Sequence, residues 1–347
     1  MFKPRLEWLL AFVPAAIVLE VVHADGLVIF AVASLAILPL AGQIGHATED
    51  LAARSGPQIG GLLNATFGNV TEMIIALFLI LEGQLEIVKA SITGSIIGNV
   101  LVVLGLAFLL GGWTRTEQRF SRASAGLHSA SLVIAVVGLL MPVLFSFSPE
   151  ATNFRTEAVS LGVSTVLIAV YVFSLLFSLK THRSLFRSSF EHGHAKWSVR
   201  RAVGVLAGAT VLVALMSEFL VGALEETVAR LGISELFVGL IVVPLVGNAA
   251  EHSSAVLLAL RDKMDVSIEI AIGSSTQIAL FVAPMLVFAS LLLGEPMDLI
   301  FTGIEVAAVA FASLILGFIA LDGRSNWFEG ALLLAAYLIM GVSFFFL

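Results

Sequence analysis

The chain has 347 residues, 59% hydrophobic and only 12% charged, with a formal net charge of −7 and a mean hydropathy of +1.05. Soluble domains carry roughly 25% charged residues, so the composition specifies a polytopic membrane protein with no room for a separate soluble domain. Cysteine is absent, which excludes disulfide frameworks and thiolate metal sites. No basic run beyond the short loops supports a nucleic-acid partner.

Lys3 and Arg5 precede an apolar stretch ending in Val22-His23-Ala24, the outline of a signal peptide. Glu7 and Glu20 interrupt it, and an uncleaved first helix is the favoured reading. A span needs ~20 apolar residues. Eleven are predicted, at about 7–22, 26–46, 58–81, 88–110, 123–145, 156–179, 201–224, 235–260, 266–293, 298–321 and 326–346. The runs are too long for barrel strands and the loops are short, so the expected fold class is all-α.

Charge placement orients the helices. With the N-terminus in the cytoplasm, cytoplasmic segments hold 15 Lys and Arg, and outer segments hold only Lys89, Arg155 and Arg230. That asymmetry is the positive-inside pattern, and it puts the C-terminus outside. Residues 1–25 are then an extra helix, 26–179 a first five-helix repeat, 180–200 a basic cytoplasmic linker, and 201–347 a second repeat.

One polar device occurs twice. Gly68-Asn69-Val70-Thr71-Glu72 returns as Gly247-Asn248-Ala249-Ala250-Glu251, and each glutamate is followed 23 residues later by a Gly-Ser pair, Gly94-Ser95 and Gly273-Ser274. A carboxylate inside a span is costly and marks an ion or substrate path by default. The helices carrying Glu72 and Glu251 run in opposite senses under this orientation, as in an inverted-topology repeat with its site at the repeat interface. Asn69 and Glu72 are three apart and share a helix face, as do Asn248 and Glu251. Gly68 and Gly247 permit close approach or a helix break, and Pro244 loosens the second helix further. Two carboxylates, two amides and freed carbonyls form an all-oxygen set of the kind hard cations such as Ca²⁺ take. Two facing carboxylates in a low-dielectric site are neutralised by one divalent cation or by protons, which couples the two ions. Ser95 and Asn99 on one helix, and Ser274, Ser275 and Gln277 on another, are candidate neutral partners on the cation or proton path. The 179-residue offset places Gln277 opposite Gly98, one position from Asn99.

The repeated Gly-Asn-x-x-Glu, with the second copy continuing into His252, resembles the cation/proton exchanger branch of the calcium/cation antiporter superfamily. The resemblance covers nearly the whole chain. It implies a Ca²⁺/H⁺ antiporter working by alternating access, with Glu72, Glu251, Asn69 and Asn248 binding transported Ca²⁺ and no resident cofactor. It also implies sliding or rocking of the helices at 26–46 and 201–224 against a core built around the motifs. The sodium/calcium branch typically carries Gly-Thr-Ser-x-Pro-Glu and an acidic residue near Gln277, so protons are favoured over sodium. Eukaryotic members often have an acidic helix between the halves. The linker here holds Glu191 among basic and histidine residues, which suggests a prokaryotic plasma-membrane member.

Bland readings compete at several positions. His252 is either a tuner of the neighbouring carboxylate or a packing residue. Asn248-x-x-Glu251-His252 lacks the first histidine of an inverted zinc motif, and an intramembrane protease is rejected. Glu49, Asp50 and Glu218 are candidate acidic vestibules or plain helix-end charges. Glu82, Glu86, Glu225, Glu226 and Glu305 are expected to be solvated outer-face charges. His182, His192 and His194 are candidate pH sensors in a run that otherwise fixes topology and touches anionic lipid. The rival functions are a sodium-coupled exchanger and a passive cation channel.

Overall fold

In the computed structural model of the chain, residues 6–182 and 196–346 are described, apart from the side chains of residues 56–58, 61, 65 and 250. A 3₁₀ turn (Leu6–Ala11) leads into α1 (Phe12–Val21), followed by α2 (Gly26–Phe67), α3 (Val70–Leu81) and α4 (Leu85–Ile97). A π-helical turn (Gly98–Val103) joins α4 to α5 (Leu104–Gly112), then come α6 (Arg122–Ser146) and α7 (Asn153–Leu176), which ends in a π turn (Phe177–Thr181). The second part has α8 (Val199–Gly222), α9 (Leu224–Leu231) and α10 (Glu235–Phe237), a π turn (Val238–Val242), α11 (Val243–Gly247) and α12 (Ala249–Leu260). It closes with α13 (Met264–Gln277), a π turn (Ile278–Val282), α14 (Ala283–Leu293), α15 (Gly303–Ile319) and α16 (Trp327–Phe345).

The protein is therefore an all-α integral membrane protein. Among the described residues, seven helical segments are each long and apolar enough to cross a membrane, and the bent pair Leu224–Leu231 and Glu235–Gly247 makes up to eight. Val70–Leu81 and Gly303–Ile319 are shorter apolar helices. Local chemistry sets many of the helix starts. The Asp25 carboxylate accepts the Leu27 N–H at 3.1 Å, and Ser121, Thr152 and Ser198 cap α6, α7 and α8. Thr302 with Glu305, and Asn326 with Glu329, form capping boxes on α15 and α16.

Three predicted boundaries are corrected. The expected loop between 46 and 58 is helical, and Gly60 lies against Ala52: a Cβ there would sit 2.9 Å from the Ala52 carbonyl oxygen. Along a straight helix those residues are about 12 Å apart, so the chain folds back between them while keeping its helical hydrogen bonds. The predicted spans 58–81 and 235–260 are each broken, at Gly68–Asn69 and at Asn248. The short helix α9 follows α8, and its axis makes a bend of 116° with the segment Glu235–Gly247. A two-residue antiparallel pairing of β1 (Gln118–Arg119) with β2 (Arg324–Ser325) adds a small exception to the all-helical reading, tying the α5–α6 and α15–α16 connections together.

Burial separates centre from periphery. The apolar window within Leu85–Gly112 is 83% buried, against 22% for Asn153–Thr181 and 17% for Trp327–Phe345. The α4–α5 segment is thus the middle of the bundle, while α7 and α16 present apolar side chains such as Phe173 and Ile339 to their surroundings. Gly94 and Gly239 allow α4 to meet the Val238–Val242 turn almost backbone to backbone. A Cβ on Gly94 would lie 2.1 Å from the Leu240 carbonyl oxygen, and one on Gly239 would lie 2.6 Å from the Ala90 Cβ.

Candidate functional site

Each motif asparagine occupies a helix break. Asn69 has φ −108° and ψ 20°, and Asn248 has φ −93° and ψ 3°, outside helical values at the junctions of α2 with α3 and of α11 with α12. Each glutamate then falls in the first turn of a twelve-residue helix, α3 or α12. The N-terminal end of a helix dipole favours negative charge, so both breaks offset part of the cost of placing a carboxylate inside the bundle.

The glycines lie near the opposite copy's glutamates. A Cβ on Gly247 would stand 3.0 Å from Glu72 Cγ and 3.3 Å from its Oε1, and one on Gly68 would stand 3.6 Å from Glu251 Oε1. Gly247 thus leaves room that Glu72 uses, whereas a Cβ on Gly68 would reach Glu251 only at ordinary contact distance and would crowd the Asn64 carbonyl oxygen, at 2.6 Å, instead. The two carboxylates are close enough for their charges to interact.

Around them run two unequal polar chains. Asn69 Nδ2 donates to Gln277 Oε1 at 2.7 Å, and the Ser274 hydroxyl donates to Asn69 Oδ1 at 3.1 Å. Asn99 Nδ2 donates to Ser274 Oγ at 3.1 Å, and His252 Nε2 meets Asn99 Oδ1 at 3.0 Å. This chain links α2–α3, α13, the α4–α5 turn and α12. The second chain is short: Asn248 Nδ2 donates to Ser95 Oγ and to the Pro244 carbonyl, each at 3.1 Å. Ser274 also lies beside the Glu251 carboxylate; its single proton serves either that oxygen or Asn69.

Among the described residues, Glu72 Oε1 and Oε2, Asn248 Oδ1 and Glu251 Oε2 are buried oxygens without a hydrogen-bond partner. A buried polar atom left so calls for a reason, and an all-oxygen set containing two carboxylates suits a hard divalent cation. The π turn at Gly98–Val103 holds Asn99, and the one at Ile278–Val282 begins directly after Gln277. Such turns recur at functional positions because they shift side-chain direction by a fraction of a turn.

The remaining candidates fall elsewhere. Ser275 donates to the carbonyls of Ala271 and Ile96 and takes no part in the polar chains. Asp50 is a fastening: its two oxygens accept the backbone N–H groups of Lys196 and Trp197 at 2.8 and 2.9 Å, while Arg54 donates to the Trp197 carbonyl. Glu49 pairs loosely with exposed His46 at 3.7 Å, and Glu218 is exposed. Glu305, expected to be solvated, is 1% exposed; its carboxylate accepts the Thr302 N–H and hydroxyl and reaches Thr93 at 3.5 Å. Lys89, counted as an outer-loop charge, lies inside α4 and is buried, paired with Asp298 at 2.8 Å and Glu86 at 3.1 Å. Glu82, Glu86, Glu225 and Glu226 are exposed as expected. His182 stacks on Phe177, whereas His192, His194 and Glu191 lie outside the described residues. Sequence reasoning passed over Glu269, which binds Ser124 and His128. Its only signal was a carboxylate inside an apolar run with no second copy.

Comparison with known proteins follows the same lines. The chain matches the family described as sodium/calcium exchanger protein over residues 26–180 and again over 201–346. A Ca(2+)/H(+) antiporter of Aphanothece halophytica is 44% identical, over 97% of this chain and 95% of that protein. The Ca(2+)/H(+) antiporter ChaA of Bacillus subtilis is 45% identical, over 97% of each. The solved structure of native YfkE superposes with a TM-score of 0.88 at 42% identity, over 99% of this chain and 100% of that one.

Proposed function

Because the chain belongs to the sodium/calcium exchanger protein family, we propose that it is a secondary antiporter exchanging Ca²⁺ for protons, with Glu72 and Glu251 binding either ion in competition. One observation carries this reading: two neighbouring carboxylates, Glu72 buried beside Gly247 and Glu251 partly buried, with three buried oxygens that have no hydrogen-bond partner among the described residues. One Ca²⁺ or a pair of protons neutralises the site; with neither, two charges face each other in a low-dielectric interior. The neutralised forms reorient and the doubly charged form resists, which gives exchange instead of leak. Asn248 Oδ1 is assigned as a cation ligand, and Asn69, held by Gln277 and Ser274, as the residue that positions them. The two Ca(2+)/H(+) antiporters at 44 and 45% identity support the choice of ions. Gln277 supplies a neutral amide already bonded to Asn69, which leaves no extra carboxylate for a sodium site.

The proposed architecture is an inverted repeat of 26–179 and 201–347 with the N-terminus in the cytoplasm of a prokaryotic cell. Two family matches of similar extent support it. On that orientation the segment Val238–Gly247 is the outer half of its broken span and is closed against α4. Residues 59–67 are the cytoplasmic half of theirs and are largely exposed, Ile59 and Leu62 at 56% and 54%. This pattern supports an arrangement open to the cytoplasm, in which Ca²⁺ loads before protons from outside replace it. The breaks at Asn69 and Asn248 are the natural hinges.

The test is Ca²⁺ flux in proteoliposomes under an imposed pH gradient, with and without sodium. Uptake driven by the pH gradient and indifferent to sodium is the expected result. Uptake that follows sodium and ignores pH would overturn the proton reading, and uptake that needs no counter-ion gradient would indicate a channel.

A further inference from the structure

The short helix α9 lies away from the polar site, at the end of the bundle where the half-span Val238–Gly247 is closed. It is bounded by two helix breaks, at Ala223 (φ −92°, ψ 1°) and at Gly232 in the left-handed region (φ 63°). Leu224 and Thr227 are buried, while Glu225, Glu226 and Arg230 are exposed, the pattern of a helix lying on a surface. Its charged groups reach neighbours on both sides. Arg230 pairs with Asp25, the residue that caps α2, and Glu226 lies on the backbone of Gly26, where a Cβ would run into its carboxylate. On the other side Glu225 Oε1 accepts from Gln84 Nε2 at 2.7 Å, and Gln84 is the residue that opens α4. Residues 232–234 then lead straight into Glu235–Gly247 through the 116° bend.

We propose that α9 is a strap across the closed face of the bundle, and that the Glu225–Gln84 bond is the catch that parts before Val238–Gly247 swings away from α4. It rests on the antiporter reading and its inverted repeat. An ion pair and a close backbone contact fix α9 to the start of α2, so the two move together. Among the described residues its polar hold on the α3–α4 turn is one exposed hydrogen bond. Such a bond exchanges with water at small net cost, which suits a contact made and broken in every cycle.

The open end of the bundle has the corresponding position released. The 179-residue offset carries Gln84 to Lys263 on the α12–α13 connection, and Lys263 is exposed. The fold-back in α2 stands where α9 stands in the second repeat, and its Asp50 and Arg54 bond to Lys196 and Trp197. The α12–α13 connection is held from another direction, by Gln118 and Arg115 through Asp262. A catch thus accompanies the packed half-span, and its counterpart is undone beside the exposed one.

The chain has no cysteine, so Gln84→Cys with Glu225→Cys places one pair of thiols in the full-length protein for a short, reducible bifunctional thiol reagent to bridge. Bridged protein in proteoliposomes is expected to lose proton-driven Ca²⁺ uptake and to regain it on reduction, with neither single variant responding. Its Ca²⁺ titration is expected to match that of the unbridged protein, because the site stays open on the other face. Uptake at the unbridged rate, loss of Ca²⁺ binding on bridging, or thiols that the reagent does not bridge would each overturn the proposal. Amide hydrogen exchange over residues 238–246 reads the catch without a cross-link. Gln84→Ala is expected to raise exchange there about threefold, the size of one exposed hydrogen bond, and Gln84→Glu to raise it further by setting two carboxylates together. Gln84→Glu combined with Glu225→Gln restores a donor to an acceptor and is expected to return exchange to the wild-type rate; no rescue sinks the catch. Wild-type protein that shows no proton-driven Ca²⁺ uptake, while the variants follow this exchange pattern, supports the strap and overturns the antiporter reading. Proton-driven uptake that persists through the bridge does the reverse.

Discussion

The two broken spans share a motif and differ in their first halves. Val238, Gly239, Leu240, Val243 and Pro244 are buried against the centre of the bundle, where Gly94 brings α4 to the Leu240 carbonyl. The counterpart segment exposes Ile59, Leu62, Asn64 and Thr66, and a Cβ on Gly273, a buried residue at Gly94's equivalent position, would meet nothing within 4 Å among the described residues. The same local grammar thus supports a closed and an open packing in one molecule. What differs is how far the first half-span is buried, and that is the kind of difference a transport cycle can reverse.

The comparison can be broken most severely at the glutamates. Glu72→Gln and Glu251→Gln are each expected to reduce proton-driven Ca²⁺ flux to the level of protein-free liposomes, because one carboxylate cannot neutralise a divalent ion in this interior. A variant of either that still transports would show that the copies are unequal in function as well as in packing.

The glycines sharpen it next. Gly94→Ala forces a Cβ onto a backbone carbonyl and is expected to cost about 1–3 kcal/mol of stability, read as a lowered unfolding temperature. Gly273→Ala is expected to leave stability unchanged or raise it by up to about 1 kcal/mol, yet to slow transport by obstructing the closed partner of this packing. If Gly273→Ala transports at the wild-type rate, residues 59–67 do not close on α13 as Val238–Gly247 closes on α4.

The asparagines separate ligand from scaffold. Asn248→Ala removes an unpartnered oxygen and is expected to weaken apparent Ca²⁺ affinity by about tenfold, the low end of about 10–100-fold losses at metal sites. Asn69→Ala leaves the Gln277 carbonyl oxygen without its partner, while Ser274 keeps Asn99 and the Glu251 carboxylate, and is expected to cost about 1–3 kcal/mol of stability. Isothermal Ca²⁺ titration and thermal unfolding distinguish the two. The smallest effect is expected at Asp50→Asn, which keeps one acceptor for Lys196 and Trp197: transport stays at the wild-type rate, and a clear fall in Ca²⁺ uptake would restore the vestibule role.

Much of the proposed site's polar cluster was legible because membrane burial makes polar residues conspicuous. Glu72, Glu251 and both asparagines stood out by chemistry and repetition, and Ser95, Asn99, Ser274, Gln277 and His252 by spacing, and the structure brings these together. Ser275 was indistinguishable from Ser274 until the helix phase was known, since its hydroxyl returns to its own helix at Ala271. Glu305 and Lys89 were misread because helix-end charges look solvated in sequence, whereas a capping box and an ion pair hold them inside. A reversal between the spans 26–46 and 58–81 was expected; what was not legible is that the chain stays helical through it.

The sequence by itself determined a membrane-spanning helical chain with a duplicated acidic motif, because apolar length and charge cost are local properties of residues. Only the tertiary structure decided that Gly247 makes room for Glu72, that one polar chain runs from His252 to Gln277 while the other stops at Ser95, and that one half-span is packed and its counterpart exposed. Those outcomes depend on how far two helices approach, which is set by every contact between them and by no single stretch of chain.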